Sequence, residues 1–66
     1  MSIDLKAERL NRGLSLDALA EKTGVPKSTL ARVEGGGLPN ARNGYAIANF
    51  FGYQVTDIWP IEESVA

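Results

Sequence analysis

The chain has 66 residues, of which 44% are hydrophobic, 23% charged and 8% aromatic. A chain this short buries only about 60% of the surface its unfolded form exposes, which excludes a second domain and predicts one small globular unit over residues 1–66. With no Cys and no His, disulfides, Cys/His zinc sites, thiol nucleophiles and imidazole bases are excluded, so no cofactor, metal site or enzymatic activity is expected.

No apolar run approaches the roughly 18 residues of a membrane span, and the N-terminus lacks a signal-peptide core, which predicts a soluble, intracellular protein with no membrane partner. The net charge of -1 conceals an asymmetry. All seven basic residues (Lys6, Arg9, Arg12, Lys22, Lys27, Arg32, Arg42) lie in residues 1–42 beside five acids, whereas residues 43–66 hold three acids and no base. A modest positive surface on the first part follows.

Residues 3–12 predict a short first helix ended by Gly13. Ser15 is placed to cap a second helix, whose positions Leu16, Leu19, Ala20 and Thr23 follow i, i+3, i+4, i+7 and whose Asp17 suits the positive end of the dipole. Gly24 is its left-handed stop. Pro26 is expected at the first helical position of a third helix running to about Glu34. With Leu30 and Val33 inward, Pro26 falls on their side, Ser28, Ala31 and Arg32 project opposite, and Lys27 flanks that outer face. Gly35-Gly36-Gly37-Leu38-Pro39-Asn40 reads as a loop. Residues 41–51 form a fourth helix with Ala41, Tyr45, Ile47, Ala48 and Phe51 on one broad face, stopped by Gly52. Val55, Ile58 and Trp59 are placed in a last helical turn ended by Pro60, although Tyr53-Gln54-Val55-Thr56 is also compatible with an extended segment. Residues 61–66 read as an acidic tail, in which Glu62 and Glu63 are solubilising charge.

The prediction is all-α. Two short helices joined by a tight turn at Gly24, with a polar outer face on the second, have the helix-turn-helix layout. At this point the sequence resembles the phage-repressor-like helix-turn-helix proteins, which include lambda-type repressors, Cro proteins and xenobiotic-response-element regulators. The resemblance spans residues 5–59 and rests on Leu5, Arg9, Gly13-Leu14-Ser15, Leu19-Ala20, Thr23-Gly24-Val25, Ser28-Thr29-Leu30, Arg32, Glu34-Gly35-Gly36, Pro39, Ile47-Ala48 and Phe51-Gly52. It implies a compact five-helix domain on double-stranded DNA, with the second helix over the phosphate backbone and the third in the major groove. It also implies a structural ion pair between Arg9 and Glu34. Two departures stand out. Leu16 replaces the polar residue that often opens the family's second helix, and Gly37-Leu38 occupies a shortened loop where basic residues are common.

Within that frame Arg32 suits a bidentate pair to guanine O6 and N7. Lys27 suits a guanine or phosphate, Ser28 a base edge or phosphate, and Ala31 a thymine methyl. Ser15, Thr29, Asn40, Arg42 and Asn43 are assigned to phosphate, with a cap or turn an equal alternative for Asn40 and Asn43. The apolar load of Val55, Ile58, Trp59 and Ile61 predicts a two-fold homodimer on DNA through this segment, with recognition helices about 34 Å apart. No small-molecule ligand is expected. The expected function is a sequence-specific operator-binding regulator at the bacterial or phage-host nucleoid, a small repressor or Cro-like protein of a phage, prophage or mobile element. An antitoxin or restriction-controller role involves the same physics, and a protein-interaction module without DNA binding is the alternative of another class.

Overall fold

The computed structural model describes residues 3–59 as five helices: α1 (Leu5–Asn11), α2 (Leu16–Thr23), α3 (Lys27–Glu34), α4 (Ala41–Phe51) and α5 (Val55–Ile58). There is no strand among the described residues. Pro60, Ile61 and the acidic tail lie outside them.

Local chemistry sets the helix ends. Three N-termini are closed by a short polar side chain accepting from the backbone three residues on: Asp4 Oδ1 from Ala7 N at 3.1 Å, Ser15 Oγ from Ala18 N at 3.0 Å, and Asn40 Oδ1 from Asn43 N at 2.8 Å. At α5 the bond runs the other way, Gln54 N donating to Asp57 Oδ2 at 3.0 Å. Gly24 closes α2 at φ 77°, its N–H donating to Ala20 O at 2.8 Å. An L side chain rarely adopts that backbone region, which is why glycine suits the turn.

Apolar side chains from all five helices meet in one core: Leu5 of α1, Leu19 of α2, Leu30 and Val33 of α3, Ile47, Ala48 and Phe51 of α4, and Ile58 of α5, with Val25 from the turn. Burying a Leu, Ile or Val fully is worth roughly 1.5–3 kcal/mol. Leu30, Leu19 and Val25, each nearly inaccessible, therefore fix the orientation of α3. Leu16, half-buried, packs against the same core.

Several expectations need correction. Pro26 sits at the N-cap of α3 (φ -57°, ψ 142°) rather than at its first helical position, and it is exposed, not aligned with Leu30 and Val33. Its extended ψ belongs to the incoming turn, so the helix begins one residue later. Ala41 and Tyr45 are exposed, Tyr45 at 66%, and Gly44 takes the inward place instead. Gly44 lies where α4 passes Pro39 and Trp59, close enough that a Cβ would stand 3.3 Å from Pro39 Cγ and 3.5 Å from Trp59 Cζ3. Trp59 follows α5 as its C-cap, and Val55 and Thr56 are helical, not extended. Ile58 is 2% exposed, so it belongs to the core and cannot present itself at a dimer surface.

Candidate nucleic-acid interface

The α2–turn–α3 unit is built around Thr23. Its Oγ1 donates to Leu19 O at 2.8 Å and accepts from Val25 N at 3.2 Å, so one hydroxyl ties the last turn of α2 to the residue that enters the core. Counting Thr23 as an apolar position misses this role. The signal for it is a hydroxyl beside a turn glycine.

With Leu30 and Val33 turned inward, Lys27, Ser28, Ala31 and Arg32 are all exposed, and Thr29 is half-buried. The four residues assigned to base edges thus share the outer surface of α3. Two of them are engaged by neighbours. Lys27 Nζ lies 3.1 Å from Asp17 Oδ1 in the first turn of α2. Arg32 Nη1 donates to Leu38 O at 3.1 Å, so its guanidinium leans over the α3–α4 loop. Of the phosphate set, Ser15 and Asn40 have their side-chain oxygens occupied as caps and are exposed, as is Arg42 in the first turn of α4. Asn43 is half-buried, and its backbone N–H is the one that Asn40 accepts. The N-termini of α2 and α4 keep free N–H groups at the positive ends of their dipoles.

Arg9 and Glu34 are brought together beneath this surface. Arg9 Nε donates to Glu34 Oε2 at 2.7 Å and Nη2 to Oε1 at 3.0 Å, a two-bond fork, while Nη1 donates to Leu14 O at 2.9 Å. Each side chain is 9% exposed. The bonded carboxylate holds the Arg9 guanidinium above its ordinary pKa. The pair clamps α1 to the end of α3 and so braces α3 from behind.

Arg9, Arg12 and Lys27 are therefore in ion pairs, and among the described residues Lys6, Lys22, Arg32 and Arg42 are in none. The described residues contain no group of three or more carboxylates able to hold a metal ion, and no helix long and apolar enough to cross a membrane.

A helix-turn-helix family model matches residues 5–58. The chain belongs to that family, the lambda-repressor and Cro-like helix-turn-helix proteins, which are DNA-binding regulators. No curated protein and no solved structure matches it.

Proposed function

We propose that this protein is a sequence-specific transcriptional regulator, a small repressor or Cro-like protein of a phage, prophage or mobile element. It reads its operator by placing α3 in the major groove. The observation that carries the reading is the split of α3 into a buried edge, Leu30 and Val33, and an outer edge of Lys27, Ser28, Ala31 and Arg32 with base-reading chemistry. Asn40, Arg42 and Asn43 would hold phosphate at the start of α4, and Ser15 and Thr29 would do so beside the turn. One short recognition helix reads few base pairs and the four cations outside ion pairs among the described residues neutralise few phosphates, so the protein works as a homodimer on DNA. Val55 and Trp59, both half-buried, are the described residues offered for that interface, with Ile61 beyond them.

The experiment is duplex binding across a salt series, followed by selection from a random library. Micromolar or weaker affinity for random DNA that falls steeply with salt, and a selected two-fold site holding two chains, support the reading. No salt-dependent affinity for any duplex overturns it in favour of a protein-interaction module. One chain on an asymmetric site removes the dimer.

A further inference from the structure

Gly37 is a glycine whose backbone does not demand one. Its φ lies outside the left-handed region that Gly13, Gly24, Gly36 and Gly52 occupy. The space around it does demand one. A Cβ at Gly37 would stand 2.8 Å from Arg32 Cγ, 3.0 Å from Arg32 O and 3.1 Å from Arg32 Nη1. The 2.8 Å contact falls on the near end of the Arg32 side chain, so moving the flexible tip cannot relieve it, and the 3.0 Å contact to backbone is tighter than ordinary packing. The same two residues are joined by Gly37 N donating to Arg32 O at 2.9 Å, and the next carbonyl, Leu38 O, accepts from Arg32 Nη1 at 3.1 Å. The Arg32 stem therefore runs along a bare stretch of loop and ends on the Leu38 carbonyl.

We propose that Gly37 and the Leu38 carbonyl form a cradle that positions Arg32, making Gly37 a specificity-determining residue although it carries no side chain to touch a base. A free arginine side chain loses rotamer entropy on docking, and the cradle removes part of that loss in advance. One of the five guanidinium donors is committed to Leu38, which leaves the others to form the fork that guanine O6 and N7 accept. This use of the cradle rests on the DNA-binding reading; the cradle itself does not.

The test has two arms. In the free protein, ¹⁵N relaxation at Nε should show Arg32 more ordered than Arg42 in the wild type, and as mobile as Arg42 in Gly37→Ala. On DNA, the base pair whose preference disappears in Arg32→Ala should lose about tenfold discrimination in Gly37→Ala. Affinity for random duplex and its salt slope should stay at wild-type values, and Gly37→Ala should add no further loss of discrimination at that base pair in an Arg32→Ala background, where Cγ and Nη1 are gone and only the 3.0 Å contact to the residue 32 carbonyl remains. Thermal melts identify a Gly37→Ala chain that is merely unfolded, in which case the order of Arg32 against Arg42 in the wild type decides the cradle by itself. An Arg32 as mobile as Arg42 in the wild type, or undiminished base preference in a folded Gly37 variant, overturns the cradle while leaving DNA binding intact. An ordered Arg32 in a wild type that binds no duplex overturns the base-reading role together with the proposed function.

Discussion

Single residues in this chain act through where their neighbours stand. Gly44 is the clearest case, since α4 passes Pro39 and Trp59 so closely there that a Cβ would fit tightly against Pro39 and anything longer would not fit unless they moved. Gly44→Leu should destabilise the fold by about 1 to 3 kcal/mol, the usual cost of overpacking. Trp59 is the only tryptophan, so its displacement should appear as a red-shifted emission at temperatures below the melt. Unchanged emission and stability would place Gly44 at the surface. The two arginines of the proposed interface separate by mechanism. Arg32→Ala should remove about 1 to 3 kcal/mol of discrimination at one base pair, whereas Arg42→Ala should weaken all sequences alike and lower the salt slope by roughly one. Titrations on a selected operator and on random duplex check both, and equal behaviour of the two variants would remove the division between base and phosphate roles.

At the scale of helices, the polar clamp between α1 and α3 should be energetically real. In a double-mutant cycle, Arg9→Met and Glu34→Gln should couple by about 1 kcal/mol or more, above the few tenths typical of exposed pairs, because the fork is nearly buried and leaves either partner stranded alone. Additivity within error in urea melts would make them independent charges. Helix ends were the most legible part of this architecture, because Ser15, Gly24 and Gly52 act on their own backbones and need no tertiary context. Rotation of a helix about its axis was less so. Ala41 and Tyr45 satisfy the apolar spacing of α4, yet Gly44 faces inward, and a glycine contributes nothing to an apolar pattern. The outer edge of α3 followed from Leu30 and Val33 at 100° per residue. The hold of Asp17 on Lys27 and of Leu38 on Arg32 did not, since each depends on how a second segment passes the helix. Asp17 had an adequate local role at the α2 dipole, which hid the second one.

For the molecule as a whole, pH acts at the junction of α1 with the chain beyond α4. Glu8 accepts from Arg12 Nη1 at 2.7 Å and from the Tyr53 hydroxyl at 2.8 Å. These bonds, Arg12's first, hold its carboxyl below the ordinary 4.5, while the bond to Glu8 holds the Tyr53 phenol above 10.0. A lowered carboxyl stabilises the fold above 4.5 and ceases to as pH falls through its folded value; a raised phenol stabilises below 10.0 and ceases to as pH rises through its own. Denaturation midpoints should therefore fall at both extremes, and Glu8→Gln should flatten the acid limb and lower the pH at which Tyr53 ionises by ultraviolet titration. An acid limb identical in Glu8→Gln would show that the contact does not persist in solution. The same junction bears on the order in which the structure opens. Within α1 only Leu5 and Arg9 are buried, Leu10 is 55% exposed, and the helix is otherwise fastened by Arg9 to Glu34, by Glu8 to Tyr53 and by Arg12 lying 4.8 Å from the centre of the Phe51 ring. Helices α2 to α4 are joined instead mainly by Leu19, Val25, Leu30, Val33, Ile47 and Phe51. A strap fastened mostly through carboxylates and a body closed by oil respond differently to pH, so acid should free the amides of α1 to hydrogen exchange while those of α3 and α4 stay protected, a partial opening distinct from global unfolding.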